Sequence, residues 1–133
     1  MTPTLTLVVY MAVLTWLTVM GSSLIRVKGW TWPGLQLAAG NRDNLPAMDP
    51  LAGRAERTAR NTLENFLLFA VLALVAHSAG ISDPLVVQGA TWFFWARVAY
   101  VPVYYAGIPW VRTGVWLVGI VGLGMMMVPL LPH

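Results

Sequence analysis

Four stretches of this chain are long and apolar enough to cross a bilayer, and little of the sequence lies outside them. A spanning helix needs about 20 predominantly apolar residues. Such runs occur at about residues 3–25, 57–79, 83–105 and 107–131. Backbone amides inside hydrocarbon must be satisfied internally, so runs of this length predict helices. The expected fold is an all-α membrane protein, a four-transmembrane-helix bundle forming a single domain over residues 1–133. A chain that is 58% hydrophobic and only 10% charged, with a mean hydropathy of +0.69, is too apolar for a soluble domain of this size. The first run has no basic residue ahead of it and exceeds a signal-peptide core, so it reads as a retained helix.

The charges are few and unevenly placed. Six of the eight basic residues fall between Arg26 and Arg60. That distribution fits the cytoplasmic side of a membrane protein rather than a nucleic-acid footprint, and no nucleic-acid partner is expected. Loop one, from Arg26 to about Gly53, carries Lys28, Trp30, Trp32, Asn41, Arg42, Asp43, Pro46 and Pro50 and is too polar and proline-broken to span. The link between runs two and three holds Asp83 as its only charge, whereas Arg112 follows the link between runs three and four. The positive-inside rule therefore places loops one and three in the cytoplasm and both termini on the opposite side. There is no cysteine and there are two histidines, so no metal site is expected, and sulfur chemistry has to use the sulfur of a bound molecule.

The second run opens with "RAERTARNTLEN". Arg54, Arg57, Arg60, Asn61 and Glu64 are spaced by threes and fours, so on a helix they share an arc of roughly 120° and form a polar stripe. His77 projects to the opposite side and reads as a packed or interfacial residue. Arginines at a helix end snorkel to headgroups by default. Asn61 and Glu64 lie one to two turns deeper, where an ionisable group is costly unless paired or facing a wet cavity.

In the third run, Arg97, Tyr100 and Tyr104 stand at i, i+3 and i+7 and share a face. A deep arginine needs an anion, and Glu64 is the one carboxylate inside a spanning run at comparable depth. Arg97 is therefore expected to pair with Glu64 or with a ligand anion. Pro102 is expected to kink the helix and free a carbonyl. Tyr105 and Trp110 fit an interfacial aromatic belt. Arg112 and Thr113 open the fourth run at the same depth, and Arg26 closes the first. On the fourth run, Gly119, Gly122 and Gly124 read as close-packing positions and Met125 to Met127 as core or lipid-facing filler. A cavity bounded by these arginines together with Glu64 and Asn61 suits a small polyanion that also carries an ammonium. Glutathione has that pattern: two carboxylates, one ammonium and a thiol. Its thiol pKa is near that of cysteine, about 8.5, so a guanidinium and a hydroxyl beside the sulfur would populate the thiolate at neutral pH.

The segments "RAERTARNTLEN" and "ARVAYVPVYYAGIPWVR", on runs of these lengths, resemble the MAPEG family, the membrane-associated proteins in eicosanoid and glutathione metabolism. The resemblance implies a homotrimer of four-helix bundles with glutathione sites between neighbouring subunits on the cytoplasmic side. It implies that Arg57, Arg60, Asn61 and Glu64 hold the tripeptide, with Tyr100, Tyr104 and Arg26 adding contacts. It gives Arg112 the role of stabilising the thiolate and Thr113 the neighbouring hydroxyl. Tyr100 is similar to the leukotriene C synthase branch, where the prostaglandin E synthase branch has a histidine. The loop-one aspartate of the latter is not matched in place, the nearest candidate being Asp43. Both features argue against prostaglandin isomerisation.

The expected function is an integral membrane glutathione transferase, with peroxidase activity as a second capacity. It would conjugate the thiolate to a lipophilic small molecule that arrives from the bilayer. Two alternatives belong to other classes. A noncatalytic lipid-binding member of the same family would not need the full set of polar residues. A small four-helix multidrug transporter would carry a coupling carboxylate in the middle of helix one, where this chain has no acid.

Overall fold

The computed structural model describes residues 1–132, so the last residue of the expected 1–133 unit, His133, lies outside them. Its elements are α1 (Pro3–Val27), α2 (Trp32–Ala39), α3 (Pro50–Ser78), α4 (Pro84–Ala106), α5 (Pro109–Met127) and a closing 3₁₀ turn at Val128–Leu130. No strand occurs among the described residues.

Each helix begins on a signal written in the sequence. Proline stands in the first turn of every α-helix, where its missing N–H is no loss. The side chains of Thr2, Thr31, Asp49 and Asp83 accept hydrogen bonds from first-turn amides. This chemistry corrects one expectation. The helix expected from about residue 57 starts at Pro50, because Asp49 Oδ1 accepts from Ala52 N at 2.7 Å and Pro50 opens the helix instead of breaking it. At about 1.5 Å per residue, its 29 residues make a rod of roughly 43 Å, longer than the ~30 Å hydrocarbon core. Its N-terminal turns, with Arg54 and Arg57, can therefore stand in the headgroup region while its C-terminal half stays in hydrocarbon.

Loop one, expected only to be too polar and proline-broken to span, also contains the short helix α2. The fourth expected helix ends at Met127 rather than about residue 131, and the chain tightens into the 3₁₀ turn that holds Pro129.

Packing follows helical periodicity. The buried face of α3 is a strip of small residues, Ala52, Ala55, Ala59, Thr62, Ala73 and Ala76, interrupted by Phe69. Small residues let backbones approach closely where water cannot drive association. α1 lies along α3 and also contacts α4, and it presents Met11, Thr15 and Thr18. The hydroxyls of Thr15 and Thr18 are spent on their own helix, donating to Met11 O at 2.7 Å and Leu14 O at 2.8 Å. α4 and α5 form an antiparallel pair joined at Gly107, whose φ of 73° is the left-handed conformation that closes α4. They cross most closely at Gly89 and Gly122. A Cβ on Gly122 would meet Gly89 O at 2.6 Å and Phe93 N at 2.8 Å. Gly124, by contrast, faces open space, so the close-packing expectation for it is corrected. Met126 is fully buried and Met127 is exposed.

The apolar core holds Met11, Phe69, Phe93, Leu123 and Met126, with Phe69 and Phe93 stacked at 4.6 Å between centroids. Trp16, Leu67, Trp95 and Leu117 point outward. Exposed large apolar residues on this scale suit a hydrocarbon solvent, not water. The helices α1 and α3 and the segment Pro109–Leu130 are long and apolar enough to cross a membrane, which makes this an integral membrane protein. The 23 residues of α4 match them in length but not in apolarity, because Gln88, Arg97 and several tryptophans and tyrosines interrupt the run.

Candidate functional site

At the end of the bundle nearest loop one, α3, α4 and α5 border an open cavity of about 460 Å³. It is lined by Arg57, Arg60, Asn61 and Glu64 from α3, Tyr100 and Tyr104 from α4, and Arg112, Thr113 and Trp116 from α5. The threes and fours of α3 turn one polar edge toward the i, i+4 pair Tyr100 and Tyr104. Residues 112, 113 and 116 bring in the first turns of α5. Eight of the ten site residues expected from sequence meet here.

The polar side chains are cross-braced. Arg57 Nε donates to Tyr104 Oη at 2.9 Å, and the Arg112 guanidinium lies 4.7 Å from the Tyr104 ring centroid. Tyr100 and Tyr104 meet edge to face at 5.5 Å. Arg60 reaches back to Glu56, with Nη2 to Oε1 at 3.2 Å, the one salt bridge among the described residues. With both side chains substantially exposed, that pair contributes little to stability. It does hold Arg60 against its own helix, from which a ligand anion could draw it. Glu64 is exposed and shares the lining of the cavity with three arginines, Arg57, Arg60 and Arg112. Thr113 Oγ1 donates to Pro109 O at 3.1 Å, so its proton is committed to the backbone until the hydroxyl rotates.

Two expectations need correction. Arg97 does not pair with Glu64 and does not line the cavity. It is 1% exposed behind the wall, where Nη1 donates to Asn61 Oδ1 at 2.8 Å and Nη2 to Thr62 Oγ1 at 2.7 Å. Asn61 and Thr62 lie nearer the interior seam and intercept the guanidinium, while Glu64 turns outward. Arg26, in the last turn of α1, does not line the cavity of its own chain. Arg54, part of the polar stripe, is taken up elsewhere: its Nε donates to Tyr105 O at 3.0 Å, satisfying a free carbonyl at the C-terminus of α4.

Sequence reasoning missed Trp116. Its signal was available, since it stands one turn beyond Arg112 on the same face of α5. Asp43 and His77 lie away from the cavity, each beside a separate depression: Asp43 with Arg42 in loop one, and His77 with Asp83 at the opposite end of α3.

What the cavity can do follows from its groups. Three guanidinium groups and two phenols can bind anionic oxygens in several directions, and the single carboxylate can take an ammonium. The indole of Trp116 adds an apolar wall beside Arg112 and Thr113. No group in the cavity is itself a strong nucleophile, so a reaction here has to use a nucleophile supplied by the bound molecule.

No curated protein and no solved structure matches the chain. The family model of the MAPEG family matches residues 1–131, and this integral membrane protein belongs to that family.

Proposed function

We propose that the protein is a glutathione transferase of the membrane, with peroxidase activity as a second capacity, and that its acceptor is a lipophilic electrophile arriving from the bilayer. The observation that carries this reading is the meeting in one cavity of Arg57, Arg60, Asn61, Glu64, Tyr100, Tyr104, Arg112 and Thr113. Their charges complement a tripeptide with two carboxylates and an ammonium. In this reading Arg57 and Arg60 take carboxylates, Glu64 takes the ammonium and Asn61 a carbonyl or carboxylate oxygen. The remaining thiol then lies toward α5, beside Arg112, Thr113 and Trp116.

There the Arg112 guanidinium favours the thiolate over the thiol, and the proton passes to water at the mouth of the cavity. A sulfur lone pair forms the new bond to the electrophilic carbon, and the leaving group departs with its bonding pair. Binding the two reactants side by side supplies most of the remaining acceleration. Trp116 lies deeper along α5 than Arg112, on the side from which an apolar acceptor enters.

The reading includes four transmembrane helices in one domain, with α4 crossing despite its polar residues because Arg97 is enclosed between α3 and α4. Loop one, with Arg26, Lys28 and Arg42, and loop three, which Arg112 follows, face the cytoplasm and both termini the opposite side. The assembly is a homotrimer with sites between subunits, which gives Arg26 of the partner subunit a place at a cavity that the same residue does not reach in its own chain.

The test is conjugation by purified, detergent-solubilised protein. Saturable glutathione binding with turnover of a lipophilic electrophile is the expected result. Binding without turnover of any electrophile would favour the noncatalytic lipid-binding alternative, and loss of both overturns the glutathione reading.

A further inference from the structure

Behind the cavity wall lies a polar cluster that the proposed reaction does not use. Arg97 is the largest of the fully buried side chains, and no carboxylate among the described residues pairs with it. Its guanidinium lies over the ring of Tyr100 at 4.0 Å, and its two terminal nitrogens bind Asn61 and Thr62. Its Nε has no partner. Asn65, also buried, donates from Nδ2 to the main-chain oxygen of Asn61 at 2.8 Å and to Asn61 Oδ1 at 3.2 Å. Taking a cation out of water without a counter-charge is costly, so the arrangement calls for an explanation.

The donor inventory supplies one. A guanidinium has donors only, so the Asn61 atom facing it has to be the amide oxygen. Two donors, from Arg97 and Asn65, converge on that oxygen, and flipping the amide would set N–H against N–H twice. Asn61 Oδ1 is thereby committed to the interior. What is left of its amide to line the cavity is Nδ2, which makes no hydrogen bond with the described residues.

We propose that Arg97 is a positioning residue that, together with Asn65, locks the Asn61 amide so that the cavity is offered its NH₂ group and not its oxygen. The subsite at Asn61 then accepts a carboxylate or carbonyl oxygen and rejects an ammonium. Glu64, at i+3 on the same helix, has the opposite preference. Adjacent donor and acceptor subsites fix which way round a zwitterionic peptide lies, and with it where the thiol ends up. A lysine could not replace Arg97, since one ammonium on a flexible stem cannot hold two acceptors and also cover an aromatic face with a planar group. The identity of the ligand rests on the glutathione reading; the lock itself does not.

The experiment is a double-mutant cycle on the full-length protein in detergent with Arg97→Met, Asn61→Ala and the pair, reading both glutathione Kd by calorimetry and the ligand-free unfolding midpoint. Each single variant should weaken glutathione binding roughly tenfold, and the pair should be no weaker than Asn61→Ala alone. Arg97→Lys should recover part of the loss. Asn61→Asp, whose carboxylate pairs with Arg97, should raise the midpoint while weakening glutathione at least about tenfold, because the cavity loses its donor. Additive losses in the cycle, or wild-type affinity in Asn61→Asp, overturn the proposal. If the unaltered protein binds no glutathione, that reading fails separately, and the midpoints alone decide the lock: non-additive shifts support it and additive shifts overturn it.

Discussion

Arg112 stacks on Tyr104, with its guanidinium carbon 4.7 Å from the ring centroid, and the hydroxyl of the same ring accepts a hydrogen bond from Arg57 Nε at 2.9 Å. One tyrosine thus holds two arginines, one on each side of the cavity, and sets the distance between the group assigned to the thiolate and a group assigned to a carboxylate.

Tyr104→Phe keeps the stacking surface for Arg112 and frees Arg57. Loss of one charge-assisted hydrogen bond, about 1.5–3 kcal/mol at most, should appear in glutathione Kd, with kcat changed by less than about threefold. Tyr104→Leu removes the surface as well and should lower kcat too. Calorimetry and steady-state kinetics on both variants separate the two contributions.

Arg112→Ala should lower kcat by roughly a hundredfold, the scale on which removing one donor to a developing anion acts, with glutathione Kd changed only a few-fold. Equal losses in affinity and turnover would assign Arg112 to binding alone.

Thr113→Val is expected to cost less than Arg112→Ala, by about tenfold in kcat or less, because the Thr113 hydroxyl is already engaged with Pro109 O at 3.1 Å and must rotate before it can reach a ligand. Parallel kcat measurements on the two variants check the order.

Glu64→Gln removes the carboxylate assigned to the ammonium. Its affinity for glutathione should fall about tenfold, whereas an analogue lacking the α-amino group should bind the variant and the unaltered protein alike. A variant that discriminates as strongly as the parent would place the ammonium elsewhere.

Gly122→Ala should destabilise the bundle by about 1–3 kcal/mol, since the added methyl would stand 2.6 Å from Gly89 O and 2.8 Å from Phe93 N at the α4–α5 crossing. Gly124→Ala, where no atom lies within 4 Å, should be neutral or slightly stabilising. Thermal unfolding in detergent distinguishes them.

Most of the cavity was legible in the sequence because helical spacing alone decides which residues share a face. Arg57, Arg60, Asn61 and Glu64 had to line one edge of a helix, and Tyr100 and Tyr104 another. The pairing of Arg97 was not legible. It depends on the rotation of α4 against α3, which lets an amide and a hydroxyl at adjacent positions, Asn61 and Thr62, take both ends of the fork in place of a carboxylate. The start of α3 was misplaced for a different reason. Asp49 followed by Pro50 is a cap and a first-turn proline, yet beside Pro46 in a polar loop the same pair reads as a break.

The most direct test of the central claim is the ultraviolet difference spectrum on rapid mixing of the purified protein with glutathione, with Arg112→Ala alongside. The account predicts a saturable thiolate signal in the unaltered protein and its loss in the variant, while calorimetry still shows glutathione bound. Glutathione bound to the unaltered protein with no thiolate formed would contradict it.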